Sequence, residues 1–444
     1  MNDPLQAYPR AMNTAASIAS VKLGEFHRSA TPRPSNVRDA RAFPIMGTQP
    51  LYIQLACWYA PSYGYGGPVR LMADYAQWVT NSGATVKVLT GNIHHDYTRL
   101  PPDVSHPLGD SIHRYPVWGT GLAKRSIFIL SPKFFLDALI TTWKHAGRVY
   151  LHLFEFRGLI PLTALLLKRL FPKKVVFVHS AFGTLHYRPS RIRRIYDRFF
   201  MRAQMRALDL ALVQNGHEME VYKDLLREYG SSSKVALLPL HYDFVTNEIS
   251  ASNVLNAEKL RWDHGIPPNA VILLFLGRFH PEKGLVRTID LLCCLRSRGV
   301  DAMLLLVGRD HGFQREIESY ISTSGMTPYV RIITNIFEQR FNYYSLADIF
   351  IGLPTISEET MLASVEALSC GTPVLLSKEA DMPYVVENNA GFVIDYELNT
   401  AADRCMSIIN ELPSFRANAS KVAMTYYSPD AMRRQFLCAL GSVR

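Results

Sequence analysis

A chain of 444 residues, 48% hydrophobic and 19% charged, is too long for one ordinary core and suited to two, because single cores stop growing near about 250 to 300 residues. Its composition excludes a disordered or disulfide-built protein, and six cysteines without a C-x-x-C pair suggest neither a zinc site nor a disulfide framework; a reducing cytoplasm suits them. The net charge of +10 fits an anionic ligand, a nucleic acid or an anionic membrane surface without choosing among them.

Residues 1–48, rich in Ala, Ser, Arg and Pro and lacking a continuous apolar signal core, read as a mobile leader outside the fold. The apolar run LYIQLAC (51–57), a helical spacing over 67–82 and TVKVLT (85–90) then set up a β-α-β rhythm. The apolar segment 126–143 is too short and too interrupted, by Pro132, Lys133 and Asp137, to span a bilayer. The rhythm resumes with VYLHLF (149–154), a helix over 159–171, VVFVHS (175–180), an arginine-bearing helix, LALVQN (210–215), another helix and VALLPL (235–240). Uniformly apolar strands alternating with helices predict a parallel sheet covered on both faces, so residues 49–245 form a first α/β domain. A polar stretch makes 246–268 a linker.

A second α/β series fills 269–428, with strands expected at 270–277, 302–308, 330–334, 349–353, 373–377 and 391–395. An amphipathic helix within 429–444 closes the chain. In open parallel sheets ligands bind beyond the carboxyl ends of the strands, which directs attention to the loops there.

Several such loops carry chemistry. Gly277 ends a strand, and Arg278-Phe-His-Pro-Glu-Lys283-Gly284 leads into a helix, placing two cations beside free helix N–H groups as an anion site; a solvated loop is the alternative. Glu366 is the one charged residue between Thr360 and Ser377 and needs a partner, either ribose hydroxyls or an internal salt bridge. Glu358 lies eight residues upstream, where a first-turn glutamate would also be favoured by the helix dipole. Gly66 and Gly67 follow the first strand and permit close backbone approach, or form a plain turn. His179 ends a strand and can equally be structural. Residues 188–206 hold seven arginines with apolar residues between them: an interfacial helix for anionic lipid, or a solvated basic face over a packed stripe. No motif for nucleic acid accompanies the charge.

Taken together, FLGRFHPEKG (275–284), SEETMLASVEALSCGTPVLLS (357–377), NNAGFVID (388–395) and GYGGPVRLMADYAQWVTNSGATVKVLT (64–90) resemble glycosyltransferase family 4 over nearly the whole chain from about residue 50. The resemblance implies the GT-B fold, two Rossmann-like domains facing across a cleft. It also implies a retaining hexosyl transfer, from a UDP- or GDP-linked sugar to a saccharide or lipid-linked acceptor in surface polysaccharide or glycan synthesis. Arg278 and Lys283 would grip the donor diphosphate, Glu358 face the donor sugar and Glu366 hold the ribose. Gly66 and Gly67 would approach the phosphates and His179 touch the sugar. Asn335, Ile336 and Phe337 would line the base, with Met361 and Leu362 completing the donor set. The family's Gly-Phe-Gly after the first glutamate is replaced here by Glu359-Thr360-Met361, which bears on donor geometry, and Leu240-His241 stands for the usual Asn-Gly. No metal or cofactor is expected, nor any nucleic-acid partner. The expected location is cytoplasmic, with peripheral contact to an anionic membrane through 188–206. The competing reading is a non-catalytic GT-B binding or scaffolding subunit.

Overall fold

The structure, a computed structural model, describes residues 49–62, 67–94, 98–100, 106–118, 129–180, 191–241, 259–334, 339–358 and 361–443. The leader, Gly66, Asn335, Ile336, Phe337, Glu359 and Thr360 therefore lie outside the described residues.

The apolar runs pair as parallel strands in two separate sheets. The first holds β1 (Leu51–Ala56), β2 (Thr85–Gly91), β3 (Ile112–Tyr115), β6 (Val149–Leu153), β7 (Val175–Ser180), β8 (Leu210–Val213) and β9 (Lys234–Leu237), in the order β3-β2-β1-β6-β7-β8-β9. The second holds β10 (Val271–Leu276), β11 (Ala302–Val307), β12 (Val330–Ile333), β13 (Ile349–Gly352), β14 (Val374–Ser377) and β15 (Gly391–Ile394), in the order β12-β11-β10-β13-β14-β15. A short antiparallel pair, β4 (Val117–Trp118) with β5 (Ile129–Leu130), lies apart. Every residue of β1, β6 and β7 is buried, as strands covered on both faces require. Chain order reverses between β1 and β6 in one sheet and between β10 and β13 in the other, and those crevices are where such sheets take ligands. With structural relatives described below, this is the GT-B architecture expected from the sequence.

Helices α1 (Gly67–Asn81), α2 (Pro132–Lys144), α3 (Leu159–Leu170) and α5 (Gly216–Tyr229) pack on the first sheet. Between α3 and α5 runs α4, a continuous helix made of Arg191–Tyr196, a π segment Asp197–Met201 and Arg202–Ala207. The second sheet is covered by α6 (Leu285–Ser297), α7 (Gln314–Thr323), α8 (Arg340–Leu346), α9 (Leu362–Ser369), α10 (Leu398–Asn410) and α11 (Leu412–Val422). The segment 126–143, weighed above only as an apolar run, mostly becomes α2, with Pro132 at its first turn. Among the described residues no helix is long and apolar enough to cross a membrane. Of the expected linker, 259–268 are described and begin with a short helical stretch.

The last helix, α12 (Pro429–Gly441), leaves the second lobe and joins the core of the first. Phe436 is fully buried and stacks on Tyr75 with ring centres 4.5 Å apart, and Arg148 Nη1 donates to the Val443 carbonyl at 3.1 Å. A second cross-lobe contact sets the Asp381 carboxylate on the start of α5, where the Gly216 N–H donates to Oδ2 at 3.0 Å.

Candidate functional site

The crevice of the second sheet brings Lys283 and Glu358 of the expected donor-side residues together. Gly284 has φ 75°, and a Cβ there would stand 1.8 Å from the Leu353 carbonyl oxygen, so only glycine lets the 281–284 turn lie against the end of β13. Gly308 is constrained likewise, its virtual Cβ 1.8 Å from the Gly277 carbonyl. Lys283, ending that turn, pairs its Nζ with Glu358 Oε1, the two side chains about a fifth exposed at 17% and 21%. Arg278 is exposed, and its side chain has no ion pair or hydrogen bond among the described residues. The Glu358 N–H donates to the Glu379 carbonyl at 2.6 Å, while Oε2 of both glutamates is buried without a hydrogen bond. Arg287 Nη1 lies 3.9 Å from Glu379 Oε1 and donates to the Pro354 carbonyl at 2.7 Å. Two paired cations, Lys283 and Arg287, and two carboxylates with an unsatisfied oxygen thus meet at the start of α6, whose free N–H groups add positive potential, with Arg278 a few residues upstream in the chain.

Glu366 sits one face over, on α9, 7% exposed. Its Oε1 accepts from Arg340 Nε at 3.1 Å and its Oε2 from the Tyr344 hydroxyl at 2.9 Å. Of the two partners weighed for it, the internal ion pair is the one present, and it fixes the carboxylate beside the start of α8. Met361, where the family resembled in sequence has glycine, lays its sulfur over β13: a Cβ on Gly352 would be 2.7 Å from Sδ. Leu362 packs against the first-lobe core cluster, so the start of α9 touches both lobes. Gly67 opens α1, its surroundings outside the described residues.

Across the molecule, the crevice of the first sheet holds His179, 1% exposed. A backbone carbonyl can only accept, so Nε2 donates to Glu155 O at 3.2 Å, leaving Nδ1 to accept from the Tyr222 hydroxyl at 2.5 Å. Burial pushes its pKa down to about 4. The imidazole is therefore neutral and has both nitrogens engaged; what it visibly does is orient the 155 segment. His152 is held the same way, between Tyr52 and Ser180, and burial holds its pKa well below the usual value.

Glu155 is the residue the sequence reading missed. It follows β6 and accepts from the Cys57 N–H at the end of β1 at 2.5 Å, squarely at the strand-order reversal. Burial, opposed by these hydrogen bonds, raises its pKa to about 7, and Oε2 has no hydrogen bond. The only signal in the sequence was a single carboxylate at a strand end, within HLFEF; periodicity could not show that β1 would lie beside it.

Comparisons with known proteins bear on the fold that carries these residues. The profile of a family described as "Glycosyl transferases group 1" matches residues 256–423, the lobe that carries Lys283, Glu358 and Glu366. A GDP-mannose-dependent alpha-(1-6)-phosphatidylinositol dimannoside mannosyltransferase of Mycobacterium tuberculosis is 23% identical over 181 residues, 40% of this chain and 46% of that protein. The chain thus spans under half the length of that curated relative. Among solved structures, a glycosyltransferase from Rickettsia africae superposes with a TM-score of 0.60 at 16% identity, covering 87% of this chain and 96% of its own. The Anabaena HepE protein in complex with UDP gives 0.59 at 15%, covering 87% and 98%. These likenesses establish the fold, GT-B, and show the chain to be similar to glycosyltransferases.

Proposed function

We propose that this chain is a glycosyltransferase that moves a hexose from a nucleotide diphosphate sugar, UDP- or GDP-linked, to a saccharide or lipid-linked acceptor in glycan synthesis, with retention at the anomeric carbon. The observation that carries the reading is the second-sheet crevice, where Gly284 presses the cationic turn against β13 beside Glu358. As the bond from the anomeric carbon to the diphosphate breaks, negative charge grows on the leaving phosphate. Arg278, Lys283 and the α6 N-terminus would meet that charge, without a metal in this reading; comparable preorganised donors are worth about 2.7 to 4 kcal/mol each. Glu358, released from Lys283 by the incoming phosphate, would face the sugar, and Glu366, held by Arg340 and Tyr344, would receive the ribose. The GDP-mannose dependence of the mannosyltransferase relative and the UDP bound to the HepE protein motivate the donor class.

A second reading, a non-catalytic GT-B binding subunit, draws on Met361 over Gly352 and on the Lys283–Glu358 pair. Calorimetric titration with UDP, GDP and ADP, followed by a donor panel, separates the two. Tight binding of one nucleotide with turnover of its sugar supports the enzyme; binding without turnover of any donor supports the subunit, and no binding at all overturns both.

A further inference from the structure

Three neighbouring helices of the first lobe each turn an apolar stripe to solvent. On α2 it comprises Leu136, Ile140 and Trp143, with 55%, 43% and 65% of their surface exposed. On α3 it is Leu159, Leu166 and Leu170, and on α4 it is Ile195, Phe199 and Phe200, of which Phe199 is 68% exposed. The opposite sides of the same helices, including Phe134, Ala164 and Met205, fill the core beneath the sheet. Helix α3 touches both α2 and the last part of α4, so the three stripes lie on neighbouring helices. Three adjacent apolar stripes exceed the scattered single side chains that ordinary soluble surfaces show.

The charge on this surface has one sign. The three helices carry ten Lys or Arg residues against two acids, Asp137 and Asp197. Both acids are engaged within the lobe: Asp197 takes Arg157 through two bonds of 2.8 and 3.0 Å, and Asp137 accepts from Tyr115 at 2.9 Å. Arg191, Arg194, Arg198 and Arg202 are exposed on α4, and Lys133, Lys144 and Arg169 on its neighbours. The bases therefore sit among the exposed apolar residues.

We propose that the outer face of α2, α3 and α4 is a docking surface for an anionic lipid bilayer. Aromatic and aliphatic side chains enter the headgroup region while arginines and lysines meet lipid phosphates, the arrangement of an interfacial amphipathic surface. Charge argues against the other occupants. A second copy would oppose this face with a protein of net charge +10, and residues 1–48 carry six bases against three acids. The surface is broader than the 188–206 helix singled out in the sequence, because α2 and α3 contribute six of its nine exposed apolar residues. The inference does not rest on the transferase reading, since it concerns another face and is measured without turnover.

The test is flotation of the full chain with vesicles of phosphatidylglycerol and phosphatidylcholine, against vesicles of phosphatidylcholine alone, across a salt series. Binding is expected to the anionic vesicles only and to fall steeply with salt. Arg194→Gln with Arg198→Gln should weaken it roughly five-fold per arginine. Trp143→Ser with Phe199→Ser, both solvent-exposed and so harmless to folding, should weaken it at least as much, with unchanged thermal unfolding. Wild-type Trp fluorescence should shift to the blue on binding, a shift reduced in Trp143→Phe. No binding at low salt, equal binding to phosphatidylcholine, or self-association abolished by the same substitutions would each overturn the proposal.

Discussion

Lys283 and Glu358 partly neutralise one another, so each substitution exposes the other's charge. Lys283→Ala should weaken nucleoside diphosphate binding roughly 10- to 100-fold, the worth of a charge-assisted hydrogen bond, with little change in unfolding, because a partly exposed pair contributes at most about 1 kcal/mol. Glu358→Gln should leave nucleotide affinity intact or raise it while lowering transfer; calorimetry beside a turnover assay reads both. Gly284→Ala forces a side chain into a left-handed backbone and onto the Leu353 carbonyl. A stability loss on the order of 1 to 3 kcal/mol is expected in urea unfolding, with nucleotide binding lost alongside. Glu155 supplies the pH dependence. Its folded pKa, about 7, stands above the ordinary 4.5, so the folded chain holds the proton more tightly than the unfolded one. Its penalty is absent below 4.5 and complete above 7, and stability falls as pH rises through that window. His179, depressed from 6.5 to about 4, acts in the opposite sense, its contribution being lost as pH falls across that range. Glu155→Gln should therefore raise the melting temperature at and above neutrality and remove the fall in stability between pH 4.5 and 7, while leaving stability below 4.5 unchanged.

At the scale of elements, α5 shows how a helix start is specified locally. Asn215 accepts from the Glu218 N–H at 2.8 Å, Glu218 Oε2 accepts from the Gln214 N–H at 2.8 Å, and Gly230 ends the helix at φ 62°. Asn215→Ala should cost about 1 kcal/mol. It should also loosen the Asp381 contact between lobes, because that carboxylate accepts from the Gly216 N–H in the same first turn that Asn215 caps. Helix α12 is specified differently, by what it lands on: Phe436 meets Tyr75, Tyr52 and His152. Phe436→Ala should destabilise the first lobe by roughly 3 to 5 kcal/mol in urea unfolding, the usual loss for a buried ring. The strands expected from apolar runs appear with ends within three residues, whereas β3, β4 and β5 were not expected; β3, with the sequence IHRY, is partly exposed at the sheet edge and so lacks the run that marks a buried strand.

For the whole molecule, the sequence alone determined the two parallel-sheet lobes and their order along the chain, because these depend on local periodicity. It left open what each buried charge would meet. Only the tertiary structure decided that Glu366 pairs with Arg340 and Tyr344, that His179 is enclosed, and that Glu155 faces Cys57 across the first-sheet crevice. Only it could decide, too, that α12 returns to the first lobe and that α2 and α3 extend the basic apolar face of α4. The physical reason is common to all of these. A carboxylate or an apolar stripe has its partner fixed by strand order and helix packing, across sequence separations that no pattern along the chain records.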